Sequence, residues 1–470
     1  MRVPDRRASP KWVVLELVAS GLSGTVVNVS VTVAVVAIAA EFGASIAAAA
    51  ATVVMLNVAM AFTMPLAGAW TARLGPRRLI VAAGVVVFGS SVLLSLAPNL
   101  AVLAIARAAQ GIGLAAVVPV SVQASGQLLT GERRAHALGW WGASNGLGLA
   151  FAPLVGGAII ELVGWRWVTV PSCLLGVALV VTALLAFPTD LERGSTIRLR
   201  GLGLVASVSG TGMSALAAAS AGAWAVAAGL ALACGVASVA AARALRDDGE
   251  LAELRGWFHD RDVRRSSLGA TLQMIANGLV QVGVPAWLIV SGVLEAGGAA
   301  ALLMAMTLTM AAMGPITGRR GSVSYPSRLR RGLAGCAMGL VGLAVAATTG
   351  PWWLAAPALL VLGLGAGSLL SPSLTAFSRT TAGESTIALS LFNLARLGSF
   401  GLGGLLGGAF VDAGMPGTAF LAVAVLCGLA AARVSAADDA TATNAGKARE
   451  SDATREMRAP EGAGGGTEDG

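Results

Sequence analysis

Fourteen apolar runs follow one another along this chain, near 12–38, 48–70, 79–97, 100–124, 136–160, 166–187, 201–220, 223–244, 268–292, 297–317, 332–349, 353–376, 385–411 and 416–434. Each is of the order of 20 residues, the length that crosses about 30 Å of hydrocarbon as a helix. The breaks between them are short and rich in charge, glycine or proline. With 56% hydrophobic and 12% charged residues and a mean hydropathy of +0.78, the chain lies far from a soluble composition. The expected fold class is an all-α polytopic membrane protein.

Basic residues gather on the cytoplasmic side of a membrane protein, and here they alternate with the runs. Arg2, Arg6, Arg7 and Lys11 precede span 1; Arg73, Arg77 and Arg78 follow span 2; Arg133 and Arg134 follow span 4; Arg193, Arg198 and Arg200 follow span 6. Further arginines lie between Arg243 and Arg265, between Arg319 and Arg331, at Arg379 and after Arg433, whereas Arg166 alone marks the other side. Fourteen spans with both termini cytoplasmic fit this pattern. The net charge of +8 then reads as an orientation signal, and no nucleic-acid partner is expected. The first run is longer than a secretory signal and lacks a small-residue cleavage site, so it reads as an uncleaved span. Residues 435–470, almost without large apolar side chains, read as a disordered tail.

Cys173, Cys234, Cys336 and Cys427 stand singly, which fits packing and neither a metal site nor a disulfide framework. His136 and His259 fall in or beside cytoplasmic loops. Polytopic enzymes need an intramembrane nucleophile with its base, paired aspartates or closely spaced histidines. None is present, nor is a phosphate-binding loop, so no enzyme activity and no cofactor are expected.

Faint repetition links the two halves. Pro65-Leu66-Ala67-Gly68 closes span 2 and Pro315-Ile316-Thr317-Gly318 closes span 10. Pro153-Leu154-Val155-Gly156-Gly157-Ala158 of span 5 has a relative in Gly403-Gly404-Leu405-Leu406-Gly407-Gly408-Ala409 of span 13. A common offset of eight spans predicts two parallel six-span bundles with a two-span insertion. In lipid, small residues let helices meet backbone to backbone. Gly142, Gly146, Gly148, Gly156 and Gly157 therefore predict close packing of span 5, which Pro153 is expected to kink.

These motifs resemble the major facilitator superfamily, and within it the fourteen-span drug:proton antiporters. Gly139, Gly148, Ala152-Pro153 and Gly156-Gly157 are similar to the exporters' span-5 motif. Gly68-Ala-Trp-Thr-Ala-Arg73-Leu-Gly75-Pro-Arg77-Arg78 resembles the loop 2–3 motif, with Gly68, Arg73, Gly75 and Arg77 as the implied cytoplasmic gate. Arg107-Ala-Ala-Gln110-Gly111-Ile-Gly113 resembles the span-4 motif, and Trp165-Arg166-Trp167 and Asn393-Leu-Ala-Arg396-Leu-Gly398 also match. Ala72 and Ser23 stand where the family carries acids in the loop 2–3 motif and in span 1. The resemblance implies a monomeric efflux transporter in the cell membrane. It would export an antibiotic or other small organic molecule by alternating access, with the proton gradient as its energy source. Self-resistance in a producing organism is one role it would suit. A non-transporting sensor of the same fold, or a transporter not coupled to protons, is the alternative.

The implied organisation is a tail over 1–11, a six-helix bundle over 12–190, a connector with two extra spans and an interfacial helix over 191–266, a second bundle over 267–434, and the tail 435–470. Substrate or coupling candidates are the polar residues within spans, where they are costly. Gln273, Asn277 and Gln281 share one face of span 9, facing either a wet cavity or a neighbouring helix. Asn28 and Gln110 are weaker singles. Glu16, the one acid clearly within an early span, is either the proton carrier in place of the missing Asp or an interfacial carboxylate. Arg107, roughly 10 Å deep at 1.5 Å per residue, needs carbonyls with Gln110, water, or an anionic substrate to satisfy it. Arg396 is a second candidate cation.

Overall fold

A computed structural model describes residues 9–188, 191, 236, 260–319, 325–378 and 386–434. The expected spans 7 and 8 (Val236 aside), the connector helix near 251–258, the first eight residues and the tail 435–470 lie outside the described residues.

The described chain is helical throughout. Helix α1 (Pro10–Val29) tightens into a 3-10 segment (Ser30–Ala34) and continues as α2 (Val35–Phe42). Then come α3 (Ile46–Leu74), α4 (Pro76–Ser95), α5 (Leu100–Leu128) and α6 (Gly131–Val163). A 3-10 turn, Trp165–Thr169, leads into α7 (Val170–Ala186). The second half holds α8 (Arg261–Val290), α9 (Ala296–Arg319), α10 (Tyr325–Thr349), α11 (Ala355–Ser378), α12 (Thr386–Asp412) and α13 (Pro416–Val434). Ten helices among the described residues are long and apolar enough to cross a membrane, counting α1 to α2 as one. Their boundaries follow local chemistry. Ser45 and Asn99 cap α3 and α5 by accepting the N–H of Ala48 and Val102. Between α3 and α4, Gly75 takes a φ of 79°, which disfavours a side chain, and Pro76 starts the next helix where its missing N–H is harmless.

Two apolar cores form, one from each half. Leu17, Leu56, Ile80, Val117 and Leu179 belong to the first, and Leu279, Leu303, Leu340, Leu362 and Phe420 to the second. A third group bridges them, with Ile38, Val53 and Leu103 packed with Val282, Ala286 and Val411. Within each half the helices approach through glycine. A Cβ on Gly84 of α4 would stand 2.8 Å from the carbonyl oxygen of Gly176 on α7, and one on Gly176 would stand 2.9 Å from that of Gly84. Gly111 of α5 lies against the Leu56 carbonyl, and Gly278 of α8 against that of Phe400.

Helix α1 starts at one end of the molecule, the proximal end; the turns 43–45, 96–99, 291–295 and 413–415 lie at the other, distal end. The halves meet along two seams near the distal end. On α6, Gly157 packs on Ala296, Gly297 and Ala300 of α9, and the Ala150 carbonyl accepts the Thr307 hydroxyl at 3.3 Å. On α12, Gly408 packs on Ile46, Ala47 and Ala50 of α3, and Gly404 on Val54. The repeated Gly-Gly pairs divide their work alike. Gly156 and Gly407 face the 3-10 segment and α8 of their own halves, while Gly157 and Gly408 face the opposite half.

These contacts make one substitution pair informative. Gly84→Leu is expected to destabilise the protein by about 1–3 kcal/mol through overpacking. Gly89→Leu on the same helix, with nothing among the described residues within 4 Å of its Cβ position, should change stability by less than about 0.5 kcal/mol. Thermal unfolding in detergent micelles measures both.

Candidate functional site

Arg107 on α5 is fully buried and donates four hydrogen bonds. Its Nη1 donates to the Val27 carbonyl at 2.8 Å and to Gln110 Oε1 at 2.9 Å; Nη2 donates to the Asn28 carbonyl at 3.3 Å, and Nε to the Val53 carbonyl at 3.2 Å. Val27 and Asn28 stand just where α1 gives way to the 3-10 segment, and the change of helical pitch there leaves carbonyls to be satisfied from outside the helix. Gln110 passes the bonding on, donating from Nε2 to Ser91 Oγ of α4 at 2.8 Å. Nearby, Asn28 and Asn57 exchange amide hydrogen bonds at 3.1 and 3.0 Å, tying α1 to α3. One arginine and three amides thus join α1, α3, α4 and α5. Of the partners open to Arg107, carbonyls and Gln110 are the ones it meets. They lie one turn beyond Ser23, whose hydroxyl bonds back to the Ser20 carbonyl.

Glu16 lies nearer the proximal end and has a different environment. It is fully buried, and Ser121 of α5 donates to its Oε1 at 2.6 Å, while Oε2 has no hydrogen-bond partner among the described residues. No cation bonds to it there. An ionised carboxylate is costly in such a setting, so this packing suits the protonated, neutral acid.

In the second half, Gln273, Asn277 and Gln281 of α8 are all buried. Gln281 donates to Asn277 Oδ1 at 2.8 Å, whereas Gln273 Nε2 and Gln281 Oε1 are buried without partners among the described residues. Trp287, further along, packs against the second core and the bridging group. Arg396 on α12 is half-buried, with its Nε shielded and unpartnered among the described residues. Gly148 and Pro153 lie buried on α6, with Gly148 against Thr25 of α1, and α6 runs unbroken through Pro153. At the proximal end Arg73 is exposed and Arg77 half-buried beside the Gly75 turn, and Gly68 lies within α3. Arg107 and Gln110 therefore form one cluster with Asn28, while Glu16, the α8 face and Arg396 stand apart from it.

Arg166 explains its Trp-Arg-Trp motif. It pairs with Glu41 at 2.6 Å, donates to the carbonyls of Ser95 and Ala97 at 2.7 and 3.0 Å, and lies 4.9 Å from the Trp165 ring centre. Trp165 also donates to Glu41. This group fastens the distal rim of the first half.

Two carboxylates passed over in the sequence lie on the seams. Asp412, at the end of α12, accepts the N–H groups of Ile46 and Ala47 at 2.8 and 2.7 Å; Glu161, near the end of α6, accepts the N–H of Gly297 at 2.5 Å. Each stands four residues after the seam-facing glycine of its repeat, Gly408 or Gly157. That register is the signal that could have found them.

The family model for the Major Facilitator Superfamily matches residues 17–397. The chain belongs to this superfamily. Its ten long apolar helices among the described residues fit a multi-span membrane protein. A peptide transporter whose mutant form was crystallised superposes with a TM-score of 0.63 at 16% identity, covering 90% of this chain and 95% of the other. That likeness concerns the fold. A multidrug resistance protein B homolog of Mycobacterium tuberculosis is 33% identical over 173 residues, 36% of this chain and 32% of that protein. A puromycin resistance protein of Streptomyces alboniger is 35% identical over 184 residues, 38% of this chain and 35% of the relative. The chain thus spans about a third of the length of the curated relatives it matches.

The Arg107 geometry in this facilitator predicts a structural role. Arg107→Gln is expected to leave the carbonyls of Val27 and Asn28 unpaired and to cost at least about 2 kcal/mol. Arg107→Lys, without the planar fork, should recover only part. Melting temperature measures the loss; an unchanged melting temperature with weakened binding of acidic compounds would assign Arg107 to substrate instead.

Proposed function

We propose that this chain is an efflux transporter that moves an antibiotic or similar small organic molecule out of the cell, by alternating access, in exchange for protons. It belongs on this reading to the fourteen-span antiporter subfamily, has both termini in the cytoplasm and works as a monomer, one chain supplying both bundles. The proximal end is then cytoplasmic and the distal end external.

The observation that carries the reading is the one-sided seam. The α6 face that meets α9 at Gly157, Ala150 and Gly146 continues at Gly142 and Gly139, where nothing among the described residues stands within 4 Å of a Cβ position. Two bundles joined at one end and parted at the other are what a cytoplasm-facing member of an alternating pair needs. The resistance proteins among the relatives favour export of drug-like compounds. Self-resistance in a producing organism is the physiological role we favour for such an exporter. Four donor contacts hold Arg107 in the clamp, so the proposal requires no acidic substrate.

Glu16 supplies the coupling. Loaded with a proton it rests against Ser121 inside the first half, and it releases that proton to the cytoplasm when water reaches it between α1 and α5 from the proximal end. Cells carrying the chain should accumulate less of a labelled compound such as puromycin, and a protonophore should abolish the difference. Glu16→Gln, a neutral mimic, should bind substrate normally and lose all acceleration by an imposed pH gradient. Unchanged pH-driven transport by that variant would end the coupling role, and binding without flux by the unaltered chain would make it a sensor.

The seam gives a second expectation. Gly157→Leu puts a branched side chain where a Cβ already lies 2.6 Å from that of Ala300. Transport should stop while membrane insertion and expression persist, as read by flux beside quantified protein in the membrane.

A further inference from the structure

We infer that Glu161 and Asp412 are a matched pair of latches that hold the distal side closed, each carboxylate on one half capping the first turn of a helix on the other. This rests on the alternating-access reading and names residues that govern its external gate.

The first turn of an α-helix leaves N–H groups without partners inside the helix. At α3, Ala48 is capped by Ser45 Oγ of the same half at 3.1 Å, and the Ala49 N–H meets the Ser45 carbonyl at 3.1 Å. The remaining donors, Ile46 and Ala47, are satisfied by the two oxygens of Asp412 across the seam. At α9, Ala299 N–H meets the Glu295 carbonyl of its own half, whereas Gly297 N–H is satisfied by Glu161 across the other seam. A negative charge at a helix start also meets the positive end of the helix dipole.

The pairs correspond in register. Asp412 follows Gly408 by four residues and caps α3, the helix that Gly408 touches; Glu161 follows Gly157 by four and caps α9, the helix that Gly157 touches. The glycines bring the backbones close, and the carboxylates one turn further on fasten that approach. Both acids are exposed at the distal mouth, so opening there lets water replace them at the helix starts. The latches therefore stabilise the closed form only, which is what a bias between two states requires. Their small individual strength keeps the gate reversible.

The test follows distal separation directly, in the full chain in lipid nanodiscs. Spin labels are placed at Leu96→Cys on the first half and Trp353→Cys on the second, both exposed at the distal end and away from the latches, in a background lacking the native cysteines. Asp412→Asn keeps one acceptor and loses the charge, and Glu161→Gln loses the charge. Each should raise the ratio of distally open to closed molecules roughly fivefold, the usual worth of one helix cap. The two sites share no partner, so the double variant should show about the product, roughly twenty-five-fold. Ser45→Ala, which removes a cap from the same helix without crossing the seam, should leave the distances unchanged, and Asp412→Glu should largely keep the closed form. Unaltered distances in both single variants and the double variant, or an equal shift with Ser45→Ala, would overturn the latch. Should the double variant fail to fold, the single variants carry the same test. Because the readout is distance, shifted distances without flux would uphold the latch and count against transport alone.

Discussion

Lipid tails are as apolar as leucine, so helices in a membrane gain little by hiding apolar surface from one another and depend on close approach. In this chain that approach is made by glycine against backbone, at Gly84 with Gly176, Gly111 with Leu56, Gly278 with Phe400 and Gly403 with Ile275. Each of these pairs lies within one half. They leave no room for a side chain and make each half a stiff body. The contacts between halves, at Gly157 and Gly408, use the same device along only part of the helices' length. Rigid bodies joined along half a seam can rock without repacking their cores.

Polar groups buried in this scaffold fall into two kinds. The Arg107 clamp is well satisfied: carbonyls from α1 and α3 and the side chain of Gln110 take its hydrogens, and Ser91 takes Gln110. A fully connected network of this kind fixes geometry. Among the described residues, Glu16, with one donor and one unpartnered oxygen, and Gln273 and Gln281, each with an unpartnered atom, are the opposite. Buried groups left incomplete are expensive to keep. They are the natural places for a proton or a ligand to enter a transport cycle.

Much of this could be read in the sequence. Run length and glycine content pointed to the described helices and the close packing of α6, because both follow from local composition. The repeat alone placed Gly157 and Gly408 in equivalent positions. Arg107 was legible as a buried cation needing partners, but not as a group bonded one turn beyond Ser23, since the 3-10 segment that presents those carbonyls leaves no mark in an apolar run. Periodicity put Gln273, Asn277 and Gln281 on one face without saying what that face meets. Glu161 and Asp412 were missed because a single acid at the end of a span looks like any solvated residue; only the opposing helix start gives it meaning. The two extra spans expected on the fourteen-span reading fall on residues 201–244, almost wholly outside the described residues.

We propose exchange of a small organic molecule for protons through a two-bundle pathway, with Glu16 as the coupling group. The most direct measurement is proton movement triggered by substrate in proteoliposomes containing the purified chain and an internal pH-sensitive dye, with no pH gradient at the start. Adding a transported compound outside should drive protons across in the opposite sense to the compound, at a fixed ratio to its uptake, and empty liposomes should show neither. Uptake of the compound with no accompanying change in internal pH would contradict the exchange mechanism.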